Sequence, residues 1–176
     1  ASLKAVADLE SARPLLRKGK WGEAIQQYSK WIADYNQIAK PELIARVEFD
    51  LAWLFVRHNE HDKAKMAFKK YIDKYQLRPD AAHAQMWIAD HYFNRGDVVN
   101  LANAERAYQK IYSKFTNANS ELKYRAKIMA GHSANGLNKA DNARTYFMLI
   151  LNDKDCPAEY KSEAAFGLGN AAIRDI

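Results

Sequence analysis

A chain of 176 residues with 48% hydrophobic and 12% aromatic side chains can bury a sizeable core, which excludes disorder as its general state. Seven Gly and four Pro are too few for a turn-rich sheet protein, so an all-α class is expected. The formal charge of +6 admits an anionic partner, but the basic residues are spread along the chain among Asp and Glu, as on a solvated helical surface.

The chain starts at Ala1 rather than Met, as a processed or truncated protein would, and shows no signal peptide. Its first apolar stretch runs through Leu9 to Leu15 and Leu16, and Lys18-Gly19-Lys20 then reads as a tight turn. A second helix follows on Ala24, Tyr28, Trp31, Ile32 and Tyr35, one face of a 3.6-residue period. Ala39-Lys40-Pro41 separates this pair from the next. That pair has Phe49 to Val56 in its first helix, a turn at His58-Asn59-Glu60, and Ala64, Phe68, Tyr71, Ile72 and Tyr75 in its second. The six-residue apolar run from Leu51 to Val56 is the longest of its kind and too short to span a membrane.

Beyond Leu77-Arg78-Pro79-Asp80 the pattern repeats. Trp87 to Phe93, a turn at Arg95-Gly96-Asp97, and Ala104, Tyr108, Ile111, Tyr112 and Phe115 form a third pair. Ile128 to Ala134, Leu137-Asn138-Lys139, and Ala143, Phe147, Ile150 and Leu151 form a fourth. The small residues Ala24, Ala64, Ala104 and Ala143 follow one another at intervals of 40, 40 and 39. Such a period means stacked helix pairs, each too small to bury its apolar face alone. Gly or Asn stands at each inter-helix turn, where a left-handed residue closes a helix. Asp80 and Ser120 are the expected N-caps of their helices.

The third pair is longer. Gly19 to Ala24 and Asn59 to Ala64 are five apart, whereas Gly96 to Ala104 is eight. A longer turn is expected over Asp97 to Leu101, with Val98, Val99 or Leu101 partly exposed. Asp155-Cys156-Pro157 connects to one more helix through Phe166, Leu168 and Ile173, which carries little charge on any side. This helix either packs on another chain or continues into a longer array. The lone Cys156 excludes an internal disulfide and a cysteine-rich metal site, and it reads as incidental. The expected organisation is one domain over residues 1–176, with units at 5–38, 42–77, 81–116 and 120–153 and a fifth-unit or capping helix at 157–174.

The series Gly19, Trp21, Ala24 and Tyr28 resembles the tetratricopeptide repeat. Asn59, His61, Ala64 and Phe68, and likewise Asn138, Ala140, Ala143 and Phe147, keep the spacing with changed first residues. Ala12, Ala52, Ala89 and Gly131 stand at the family's small first-helix position. The period near 40 exceeds the family's usual 34 or so. Repeats of this longer style are similar to those of bacterial envelope scaffolds. The resemblance implies an α-α superhelix, a solenoid of antiparallel helix pairs, whose first helices line a concave protein-binding groove.

Carried over residue by residue, that lining includes Val6, Leu9, Arg13, Leu16 and Arg17, then Arg46, Phe49, Trp53, Val56 and Arg57. Farther on it includes His83, Met86, Asp90, Phe93 and Asn94, then Arg125, Ile128, His132, Asn135 and Gly136. The binding residues expected from this set are Arg13, Arg17, Arg46, Phe49, Trp53, Arg57, His83, Asp90, Phe93, Arg125 and His132. Arginine forks carboxylates and aromatics anchor side chains, so the lining suits an acidic and apolar peptide segment. Packing between units is the competing role for Phe49, Trp53 and Phe93. The Lys/Asn clamp of chaperone-binding relatives is missing.

Three other chemistries are weaker. His58-Asn59-Glu60-His61-Asp62 has metal-ligand residue types but lies at a turn with no further ligand nearby in sequence. His83 and Asp90 share a helix face without a nucleophile beside them, so no enzyme and no cofactor are expected. Lys63, Lys65, Lys69, Lys70 and Lys74 crowd one helix, yet Phe68, Tyr71 and Tyr75 belong to its packing face, which leaves the lysines to solvent rather than to nucleic acid. The expected function is a non-catalytic scaffold that binds a segment of another protein. Self-assembly through the last helix is the alternative, and nucleic-acid binding a more distant one.

Overall fold

The structure, a computed structural model, describes residues 3–173 and is all-helical, with ten helices and no strand among the described residues. The expectations for Ala1 and for residue 174 lie outside them. The contacts divide the chain into two compact units, one up to Tyr75 and one from Gln76. In the first, Leu3–Glu10 (α1), Arg13–Arg17 (α2) and Pro41–Arg57 (α4) all pack on Trp21–Tyr35 (α3), and His61–Tyr75 (α5) packs on α4. In the second, Val98–Lys114 (α7) lies against both Pro79–Phe93 (α6) and Ser120–Gly136 (α8). Ala140–Leu151 (α9) lies against both α8 and Ala158–Ile173 (α10).

The turns are built as the repeat demands. Gly19, Asn59, Gly96 and Asn138 all adopt positive φ, at 66°, 60°, 71° and 56°. Three of these turns close with the same pair of bonds. Lys20 N–H reaches Leu15 O and Gly19 N–H reaches Leu16 O; Glu60 with Asn59, and Lys139 with Asn138, repeat the arrangement. These bonds satisfy the last carbonyls of the preceding helix while the left-handed residue reverses the chain. Pro41 and Pro79 open α4 and α6 from an extended preceding residue, where a missing N–H costs nothing.

Four expectations need correction. The first helix of the opening pair is two pieces, α1 and α2, because Pro14 cannot donate to the turn before it. Ser11 caps the end of α1 instead, its hydroxyl donating to Asp8 O at 2.6 Å. Asp80 and Ser120 lie inside their helices rather than capping them. The caps are Arg78, whose side chain makes no capping bond, and Asn119, whose side chain accepts from Leu122 N–H at 2.8 Å. The three extra residues after Gly96 do not lengthen the turn. Asp97 caps a helix that starts at Val98 by accepting from Asn100 N–H at 3.0 Å, so the insertion is nearly one extra helical turn. It leaves Val98 and Val99 exposed, as expected, but it buries Leu101.

The core follows the repeated second-helix pattern. Ala24, Tyr28 and Trp31; Ala64, Phe68 and Tyr71; Ala104, Tyr108 and Ile111; and Ala143, Phe147 and Ile150 are all buried. In the first unit, α1 is tied to α3 by Trp31 Nε1–H donating to Ala5 O at 2.6 Å and Tyr35 O–H donating to Asp8 at 2.5 Å. In the second, Phe147 sits between two glycines. A Cβ on Gly131 would meet its ring at 2.6 Å, and one on Gly167 would come closer still. The small first-helix position is therefore glycine at 131 because a ring occupies the space of a side chain. A buried carboxylate, Glu105, pins α7 to α9 by accepting from Tyr146 O–H at 2.9 Å and from Lys139 at 3.2 Å.

Truncating Phe68 to Ala should cost about 3–5 kcal/mol in chemical denaturation, the range for a fully buried aromatic. Gly131→Ala sets a helix-propensity gain of about 1 kcal/mol against an overpacking cost of roughly 1–3 kcal/mol. The clash should win, and Phe147→Leu in the same chain should recover part of the loss.

Candidate functional site

The first helices arrange their half-buried aromatics and their charges in two separate clefts, one in each unit. In the first unit, a cleft of about 720 Å³ is walled by Leu16 and Arg17 of α2, Trp21 and Tyr28 of α3, and Asp50, Trp53, Leu54 and Arg57 of α4. The Arg57 guanidinium lies over the Trp21 ring, 5.2 Å from its centroid. Trp53 is edge-on to Phe68 at 5.4 Å, so its inner edge is core while it still lines the cleft. Burial, followed by the nearby Asp50 carboxylate, pushes the Tyr28 phenol above its ordinary range.

Arg17, Trp53 and Arg57 thus come together, and the other three expected residues of this unit do not line the cleft. Arg13 pairs with Glu10 at 2.5 Å, and Arg46 pairs with Asp50 at 3.7 Å. Phe49 packs inward against Phe68 and Tyr71, with centroids at 5.9 and 5.2 Å, which is the packing role weighed for it. Leu9 is buried as well, whereas Val6 is exposed.

In the second unit, a cleft of about 610 Å³ is lined by Phe93, Met129, His132, Asn135, Gly136, Asn170 and Ile173. Phe93 and His132 are the expected residues found here. Asp90 and Arg125 neutralise each other. Arg125 donates to Asp90 Oδ2 at 2.7 Å while buried Tyr108 donates to Oδ1 at 2.6 Å. His83 is exposed and does not line the cleft, so the shared helix face brings no acid–base pair together. Met86 and Ile128, expected to line the groove, are core. Asn135 is buried, its Nδ2–H donating to Gly167 O at 3.2 Å, yet it still reaches the cleft. His132 lies 3.5 Å from Glu163, and Phe147 is edge-on to its ring.

Trp21, Tyr28, Asp50, Leu54, Met129, Asn170 and Ile173 were missed as lining residues. Tyr28 and Trp21 carry the repeat's core signature, and nothing in sequence separates a core aromatic from one that also walls a cleft. Elsewhere, Glu60 contacts Lys63 and His58. No three His, Cys, Asp or Glu side chains are placed to share a metal among the described residues. On α5, Lys65 pairs with Asp62 at 3.2 Å and Lys74 with Glu48 at 2.9 Å, while Phe68 and Tyr71 are buried beneath. Cys156 is buried, and burial pushes its thiol up, away from the reactive thiolate. No described helix is long and apolar enough to cross a membrane.

Three tyrosines of the second unit give a pH prediction. Burial, then Glu105, raises Tyr112 to about 12, and burial raises Tyr108 and Tyr146 in the same direction. A phenol held neutral in the fold contributes its full stability below the unfolded value near 10, and that contribution is lost as pH rises through the folded value. The contribution of these three tyrosines should therefore be constant below about pH 10 and fall as pH rises from roughly 10 to 12, which denaturation at stepped alkaline pH would measure.

No family model matches the chain, and no curated protein sequence does. Among solved structures it is similar to a crystal structure of a Podosopora anserina putative kinesin light chain with nearly identical TPR-like repeats. The two share 13% identity at a TM-score of 0.63, over 98% of this chain and 87% of that one. A second crystal structure, of a point variant of that protein, gives the same identity and TM-score, with 86% of its chain covered. At this identity the likeness concerns the fold, and the fold is that of a tetratricopeptide-like helical repeat protein.

Proposed function

We propose that this chain is a non-catalytic scaffold whose first helices bind a segment of a partner protein. Tetratricopeptide-like folds generally mediate protein–protein interaction, and repeat stacks bind on extended surfaces rather than in enclosed pockets. One observation carries the reading. The repeat-position aromatics of the second helices, Tyr28, Phe68, Tyr108 and Phe147, are buried, whereas Trp53 and Phe93 on first helices stay partly exposed and line open clefts with Arg17, Arg57 and His132. Half-exposed aromatics and arginines are the residue types that dominate binding energy at protein interfaces. The engagement of Asp90 by Tyr108 and Arg125 supports a role without acid–base chemistry. The connectors, longer than in the usual unit, support a kinship with the bacterial envelope scaffolds within this class.

A second reading rests on α10. It buries Ala164, Gly167 and Ala171 but exposes Phe166 and Ile173, an apolar stripe suited to self-association. Light scattering at rising concentration separates the two, since a strictly monomeric chain removes this second reading.

A photo-crosslinking residue placed singly at Arg57 or His132, and at Lys69 or Thr145 as second-helix controls, tests the scaffold in lysate of the source organism. Crosslinks to one protein from the first-helix positions alone are expected. Equal crosslinking from the second-helix positions would overturn the reading.

A further inference from the structure

The outer face of α7 carries cations without counter-charges. Arg106, Lys110 and Lys114 are exposed, and among the described residues none of them has a carboxylate within ion-pair distance. Arg106 reaches only a backbone carbonyl, Ala102 O, at 3.2 Å. The acidic residues of this segment are engaged elsewhere: Asp97 holds Asn100 at the helix start, and buried Glu105 accepts from Tyr146 and Lys139. On α5, by contrast, Lys63, Lys65 and Lys74 pair with Glu60, Asp62 and Glu48. At one end the basic row meets the turn that the three extra residues wind into α7, where Val98 and Val99 are 71% and 69% exposed. Val99, Arg106, Lys110 and Lys114 follow at steps of seven, four and four, which places them within about 80° of one another around the helix. Lys123, donating to Thr116 O at 3.3 Å, adds a cation beyond the helix end. None of these residues lines either cleft.

We infer that this face docks on the surface of an anionic lipid bilayer, with α7 lying along it. Arg106, Lys110, Lys114 and Lys123 meet the phosphate headgroups, and Val98 and Val99 enter the boundary between headgroups and acyl chains. A helix of 17 residues is about 25 Å long and can meet a flat charged surface along one side. Tyr146 ties the inner side of α7 to α9 through Glu105 and Gln109, so the row is presented from an anchored helix. Single-stranded nucleic acid is the rival polyanion, and this face lacks what it requires. Bases stack on exposed rings, whereas Tyr108 and Tyr112 each lie two residues from Lys110, about 200° around the helix from it. Two exposed valines gain nothing from a phosphate chain but leave water at a bilayer interface. Protein interfaces draw their energy from rings and arginines in pockets, and this face carries one arginine and no ring.

The test sediments the full chain with sucrose-loaded vesicles of phosphatidylcholine alone, and of phosphatidylcholine with about one third phosphatidylglycerol. Binding is expected to the anionic vesicles only and should fall as salt is raised. Lys110→Gln with Lys114→Gln should weaken it about 25-fold, roughly fivefold per lysine. Val99→Ser, which removes no charge, should weaken it about fivefold. Lys69→Gln with Lys70→Gln makes the same charge change at exposed positions of α5 and should have little effect. Circular dichroism confirms that each variant still folds. Equal binding to both kinds of vesicle, no sedimentation with either, or an equal loss from the α5 pair would overturn the proposal. A random oligonucleotide that binds more tightly than the anionic vesicles, through Lys110 and Lys114 and indifferently to Val99→Ser, would assign the face to nucleic acid and overturn the lipid reading.

Discussion

The aromatic ring four residues beyond the small alanine of each second helix is the constraint on which the other features depend. Tyr28, Phe68, Tyr108 and Phe147 occupy this position, and Phe68, Tyr108 and Phe147 are completely buried. Each ring is too large to share its space with another side chain of ordinary size. The neighbouring helices therefore supply either glycine, as Gly131 and Gly167 do around Phe147, or an aromatic edge, as Phe49 and Trp53 do around Phe68. Interiors packed at crystal-like density tolerate little else.

The same constraint decides what the first helices can offer a partner. Side chains of α4 recur on one stripe, from Arg46 through Phe49, Asp50 and Trp53 to Arg57. Packing consumes Phe49, ion pairing consumes Arg46, and Trp53 divides its ring between core and cleft. In α6 and α8, Asp90 and Arg125 are used up on each other and on Tyr108. What remains is a short set on each unit: Arg17, Trp53 and Arg57 on one, and Phe93 and His132 on the other. The net positive charge of the chain thus understates how selective its free cations are.

The fold was legible because the repeat writes its core and its turns in residues with no alternative use. A positive φ at Gly19, Asn59, Gly96 and Asn138, and burial of the alanine and the aromatic in every second helix, follow from spacing alone. Exceptions arose where local chemistry overrode the period. Pro14 split a helix, and Asp97 was strong enough as a cap to wind the three extra residues into α7. The sites were only half legible. Spacing places a residue on a helix face, but whether Arg13 or Arg17 remains unpaired depends on where Glu10 happens to lie. Buried Glu105 left no trace in the pattern, because its neighbours Lys139 and Tyr146 come from α9 and the turn before it.

Native-state hydrogen exchange would test this division of labour most directly. We predict that the slowest amides in each unit surround Tyr28 and Phe68, and Tyr108 and Phe147, and open only with global unfolding. The first-helix segments bearing Arg17, Arg57 and His132 should exchange through smaller local openings. If the slowest amides instead lay in those first-helix segments while the second-helix aromatics opened early, the aromatic ring would not be the anchor of the fold, and the separation of core from binding face would be wrong.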